Sequence, residues 1–123
     1  MFKGFILSES LNTPTLLNEF RKIYVKVEDR PESKNARFWH LFKIETDDKN
    51  IEEVAKKISK ELKYGRYAHF WNGKFVYVSF VNKVFKIPQE KKWSSKEFQE
   101  VKEYGAKNGV GEEYLDFWIE DWR

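Results

Sequence analysis

The chain has 123 residues, the size of one ordinary domain, and its 41% hydrophobic and 35% charged residues exclude disorder as the main state. Aromatic residues are unusually frequent at 18%, while cysteine is absent, which removes disulfides, thiolate metal sites and cysteine nucleophiles together. A formal net charge of +3 is too small to argue for a nucleic-acid partner by itself.

Residues 2–8 form a short apolar run that predicts a first strand. Thr13-Pro14 marks a helix start, with Leu16, Leu17 and Phe20 following at helical spacing. Residues 22–28 alternate: Ile23, Val25 and Val27 share one side, and Tyr24, Lys26 and Glu28 the other, as in a half-exposed strand. After the polar connection 30–35, residues 37–46 make another strand. Its two parities are both apolar, with Phe38, Phe42 and Ile44 on one and Trp39 and Leu41 on the other, so it is expected to be covered on both sides.

Asn50 with Glu53 has the form of a capping box, and Ile51, Val54, Ala55, Ile58 and Leu62 then follow helical spacing. Residues 66–72 and 74–81 are aromatic and β-branched runs split by Asn72-Gly73, which predicts a hairpin closed by a type I′ turn. A second tight turn near Asn82-Lys83 adds a strand at 84–87, ended by Pro88. Ser94 with Glu97 opens another helix containing Phe98, Val101 and Tyr104. Gly105, Gly109 and Gly111 are read as helix-terminating residues, and a last helix carries Leu115, Trp118, Ile119 and Trp122.

The order β-α-β-β-α-β, followed by a hairpin and two helices, predicts an α+β domain spanning residues 1–123. Its first six elements match a ferredoxin-like βαββαβ core whose antiparallel sheet is extended from the fourth strand. The C-terminal helices are expected to cover part of the second sheet face. No apolar run approaches the roughly 20 residues of a membrane span, and no signal-peptide pattern opens the chain. A soluble, cytoplasmic protein without membrane contact is expected.

Charge is unevenly spread. Residues 63–92 carry seven cations against Glu90 alone, and residues 93–123 carry four cations against eight acids. In the basic stretch, Tyr64, Tyr67, Phe70, Trp71, Phe75, Tyr77, Phe80 and Phe85 interleave with the cations. Aromatic faces on a sheet stack unpaired bases while Lys and Arg hold phosphates, so single-stranded nucleic acid is one partner class. Complementary surfaces of one domain and solvated lysines explain the same charges more plainly.

The two histidines, His40 and His69, could pair as general acid and base, with Tyr67 beside them, in a small hydrolase or nuclease. In the expected layout the first strand separates their strands, so each is more simply an aromatic-sized filler. No ligand spacing supports a metal, no phosphate-binding loop is present, and no cofactor is implied. The reading favoured is a non-enzymatic interaction domain, acting as a homo-oligomer or with a protein partner. Trp39, Arg66, Tyr67, His69 and Trp71 are its expected contact residues, and Trp71→Ala is expected to weaken association without unfolding the domain.

The segment Tyr67-Ala68-His69-Phe70-Trp71-Asn72 and the opening Lys3-Gly4-Phe5-Ile6-Leu7-Ser8-Glu9-Ser10-Leu11 resemble a small conserved prokaryotic family without assigned activity. The likeness extends through Trp39-His40-Leu41-Phe42 and Leu115-Asp116-Phe117. It implies a compact α+β domain and carries over no functional residue.

Overall fold

The computed structural model describes residues 1–33, 36–91, 95–115 and 119. Six strands form one antiparallel sheet: β1 (Phe2–Leu7), β2 (Arg21–Asp29), β3 (Phe38–Thr46), β4 (Ala68–Trp71), β5 (Phe75–Phe80) and β6 (Lys83–Pro88). Their spatial order is β2-β3-β1-β4-β5-β6. Helix α1 (Ile51–Glu61) connects β3 to β4, and α2 (Lys96–Lys107) follows β6. The class is therefore α+β, and the hairpin of β5 and β6 extends the sheet outward from β4.

Strand alternation sorts the side chains onto two faces. On one face, Phe2 and Ile6 of β1, Ile44 of β3, Phe70 of β4 and Tyr77 of β5 meet Ile51, Val54, Ala55 and Ile58 of α1. On the other, Trp71, Val76, Val78, Phe80 and Ile87 meet Phe98 and Val101 of α2, joined by Val110, Leu115 and Ile119. Each large apolar side chain sealed this way contributes roughly 1.5–3 kcal/mol relative to leaving it in water. β4 and β5 lie between two layers, which is why their sequences read as continuous apolar runs. The two-sided coverage expected for residues 37–46 is found there instead. In β3 only Trp39, Lys43 and Ile44 are buried.

β2 also departs from its alternation pattern. A bulge between Lys22 and Tyr24 shifts its register on β3, and as an edge strand it leaves Val25 50% and Val27 57% exposed. The first connection is a 3-10 segment, Pro14–Glu19, rather than an α-helix, and Thr13 makes no side-chain cap hydrogen bond. Six residues are too few to repay α-helix nucleation, and burying Leu16 and Leu17 needs only a turn or two.

Caps and turns differ from expectation in small, local ways. Asn50 already has helical backbone behind a 3-10 turn at Asp48–Asn50 and makes no cap bond. In α2 the cap is Ser95, whose hydroxyl accepts the Phe98 N–H at 3.3 Å; Ser94 lies outside the described residues. The β4–β5 turn is closed by the Asn72 N–H donating to the Phe75 carbonyl, with only Gly73 at positive φ (+94°). That places Gly73 at the first central position, as in a type II′ turn rather than type I′. Asn72 Oδ1 accepts from the Lys74 and Phe75 amides, both at 2.9 Å.

Gly105 does not end α2. It sits buried inside the helix, where a Cβ would come within 2.7 Å of Leu115 and 3.0 Å of Phe80. The helix stops at Asn108 and Gly109, the latter at φ +88°. The last expected helix, around Trp118 and Trp122, falls mostly outside the described residues, although Leu115 and Ile119 are both buried. No described helix is long and apolar enough to cross a membrane.

Candidate functional site

Helix α2, with Val110, Leu115 and Ile119, covers the second sheet face chiefly over β4, β5 and β6 and reaches β1 at Phe5. Where that layer stops, a cleft of about 830 Å³ opens toward β2. Antiparallel registers build its floor. Phe5 of β1 lies opposite Lys43 on one side and His69 on the other, and Leu7 lies opposite Leu41. Tyr24 pairs with Lys43, Lys26 with Leu41 and Glu28 with Trp39, so those three β2 residues form one wall. The far wall is Arg66, Tyr67, Val110 and Tyr114, tied together by the Tyr67 hydroxyl donating to the Tyr114 carbonyl.

The rim is aromatic and cationic. The Arg30 guanidinium lies 4.8 Å from the Trp39 ring centroid and that of Arg66 lies 5.9 Å from it, while Tyr114 meets the same ring at 5.7 Å. Cations over an indole face are attracted by about 0.5–1 kcal/mol at exposed sites and more when desolvated. Arg30 also donates to the Glu28 carboxylate at 2.6 and 3.0 Å, and this hydrogen bond raises its pKa further, keeping it fully charged. Among the described lining residues the ionisable groups are Lys26, Arg30 and Arg66 against Glu28, together with His69 and the tyrosines. Beside the floor, Lys43 is buried 5.8 Å from both the Phe5 and Tyr24 ring centroids.

Four of the five expected contact residues, Trp39, Arg66, Tyr67 and His69, come together on this cleft. Trp71 does not. It shares the strand parity of Tyr67 and His69 but is only 2% exposed, stacked on His69 at 5.6 Å within the α2 layer. The expectation of Trp71 as a contact residue is therefore corrected: it is core. Trp39 is itself 7% exposed, with its ring beneath the two guanidinium groups.

The acid–base pairing of His40 with His69 is not formed. His69 aligns with Phe5 and Lys43, and His40 stands three residues before Lys43 along β3, so the imidazoles occupy opposite sheet faces. Tyr67, the third member of that alternative, lines the cleft with His69 alone. His40 is engaged elsewhere, its Nδ1 lying 3.0 Å from the Glu9 carboxylate, which also accepts the His40 backbone N–H. Burial pushes the Glu9 carboxyl up, but hydrogen bonds from Ser8 and from both His40 groups outweigh it and hold the pKa below its ordinary value. Among the described residues no group of three His, Asp or Glu side chains is placed to hold a metal ion.

The basic aromatic stretch disperses in three dimensions. Phe70, Trp71, Tyr77 and Phe80 are buried in the two cores. Lys86 lies over Phe75 on one face and Lys83 over Phe85 on the other. The residues that sequence reasoning missed are Tyr24, Lys26, Glu28 and Arg30, together with Tyr114. The parity shared by Tyr24, Lys26 and Glu28 is visible along β2, but their placement on the Trp39 side of β3 depends on a long-range register.

In comparisons with known proteins, no family model matches the chain, and neither a curated protein nor a solved structure matches it significantly.

Proposed function

We propose that this protein is a non-enzymatic binding domain whose aromatic and basic sheet surface, the cleft beside β2, holds a small anionic molecule with a flat apolar part. The observation that carries this reading is Trp39, nearly buried yet capped by the Arg30 and Arg66 guanidinium groups at the mouth of an 830 Å³ cleft. That volume lies within the range of small-molecule sites, roughly 300–1,000 Å³. A flat ring entering the cleft meets Tyr24, Trp39 and Tyr114, and an attached carboxylate or phosphate meets the Arg66 guanidinium, whose fork suits bidentate hydrogen bonds, beside the charge of Arg30. Single-stranded nucleic acid is the weaker reading, because most aromatics of the basic stretch are spent on the core.

Support for a binding rather than catalytic role comes from the same residues. His69 is stacked between Tyr67 and Trp71, and Glu28 is held by Arg30. We further infer that β1 to β4 are a ferredoxin-like core. The order β2-β3-β1-β4 supports this, with 3-10 turns standing where the first helix of that fold would be. We also propose membership of the prokaryotic family that Tyr67–Asn72 resembles, a segment that here forms β4 and enters its turn.

Calorimetric titration at low salt with phenyl phosphate, naphthoate, phenol and a ten-nucleotide single-stranded RNA tests the reading. Phenyl phosphate or naphthoate should bind, phenol should bind at least tenfold more weakly, and Arg66→Ala should lose most of the anion affinity. Equal binding of phenol, or no binding by either anion, would contradict it; strongly salt-dependent binding of the RNA alone would favour the nucleic-acid reading.

A further inference from the structure

The sheet has two edges, and they are built differently. β6 runs for six residues and ends in Pro88, which has no N–H to offer; a short strand and a proline are common means of blocking edge pairing. β2 contains no proline, runs for nine residues, and exposes Ile23, Val25 and Val27 together. A long edge strand with unpaired backbone groups and exposed β-branched residues is a template for another strand.

The β2 sequence, Arg21-Lys22-Ile23-Tyr24-Val25-Lys26-Val27-Glu28-Asp29, is basic at its start and acidic at its end. We propose that β2 pairs antiparallel with β2 of a second copy of this chain, about a two-fold axis at Val25. This alignment sets Val25 beside Val25 and Tyr24 beside Lys26, and brings the Arg21-Lys22 end of each copy to the Glu28-Asp29 end of the other. The mid-strand lysine thereby gains a tyrosine ring rather than a second cation. Glu28 and Asp29 already hold Arg30 and Arg37 of their own chain, at 2.6 and 3.0 Å. A carboxylate accepts from up to about four directions, so a cation from the second copy adds to those pairs without displacing them. The interface is isologous, with each copy giving and receiving the same contacts.

Residues opposite one another in a ladder share a face, so the dimer joins two six-stranded sheets with both clefts on the same side. Val25 and its neighbours are then covered on the α1-side face by their own counterparts.

Sedimentation equilibrium of the intact chain, without added ligand, tests the proposal. Wild type should be dimeric. Val25→Glu, which sets two carboxylates against each other at an exposed position, should be monomeric with an unchanged circular dichroism spectrum. Arg21→Glu/Lys22→Glu and Glu28→Lys/Asp29→Lys should each be monomeric alone and dimeric when mixed in equal amounts, because only the mixed pair restores opposite charges at both ends. A monomeric wild type, a dimeric Val25→Glu, or a mixture that remains monomeric would overturn it.

Discussion

The Arg30 guanidinium lies 4.8 Å from the Trp39 ring centroid while donating two hydrogen bonds to Glu28, the residue directly opposite Trp39 across the β2–β3 ladder. Three side chains thus form one unit at the cleft mouth. Glu28 aims the guanidinium, and the guanidinium closes over the indole. Arg66 approaches the same ring from the other wall at 5.9 Å, so both walls converge on one aromatic surface.

The division between cleft and core predicts opposite outcomes at neighbouring positions. Trp71→Ala should destabilise the protein by about 3–5 kcal/mol, the usual cost of emptying a buried aromatic site. Arg66→Ala, half-exposed at the rim, should change stability by no more than about 1 kcal/mol, the size of its contact with the Trp39 ring. Urea denaturation of both variants checks the pair of values.

The Glu9–His40 contact predicts a specific acid response. Because the folded-state pKa of Glu9 lies below its ordinary value of 4.5, ionised Glu9 stabilises the fold above that pH. This contribution is lost as pH falls through the lower, folded-state value. Glu9→Gln should be less stable than wild type at pH 7, by roughly 1 kcal/mol for a hydrogen bond to a charged group weakened to a neutral one. Its stability should also fall less steeply than that of wild type below pH 4.5. Thermal melts at pH 3, 4, 5 and 7 measure both effects.

Gly4 of β1 lies directly opposite Phe70 of β4. A Cβ there would come within 2.2 Å of the Phe70 ring and 2.6 Å of the His69 carbonyl oxygen. The carbonyl belongs to the central ladder and cannot move without breaking it. Gly4→Ala should therefore cost at least about 1–3 kcal/mol, the range for overpacked cores. Denaturant midpoints compared with Gly73→Ala, which meets no neighbouring atom, separate overpacking from the backbone cost of losing a glycine.

Much of the fold was legible because its signals are local. The helical spacing of Ile51, Val54, Ala55, Ile58 and Leu62 corresponds to five buried residues at one helix face and its C-terminal end. The hairpin between β4 and β5 announced itself in Asn72-Gly73, although its turn is set one residue later than a type I′ turn would be. The site was legible only in part. Tyr67, His69 and Trp71 share a strand parity, and nothing local marks where the α2 layer ends, between an enclosed Trp71 and a rim Tyr67. Likewise the alternation of Tyr24, Lys26 and Glu28 shows that they point together. That they face Trp39 follows from the β2–β3 register and from the bulge at Lys22–Tyr24, which no local pattern encodes.

If the cleft beneath Arg30 and Arg66 is a binding site for a flat anion, the anion must touch the Trp39 ring and both guanidinium groups at once. Nuclear magnetic resonance titration with phenyl phosphate reads this directly, following the Trp39 indole N–H, identified through Trp39→Phe, and the Nε–H groups of Arg30 and Arg66. Saturable shifts should concentrate on those three signals and on the Tyr24 and Tyr114 amides, with none at Lys83 or Lys86. Shifts centred on Lys83 and Lys86, or none at Trp39 while the anion binds, would contradict it.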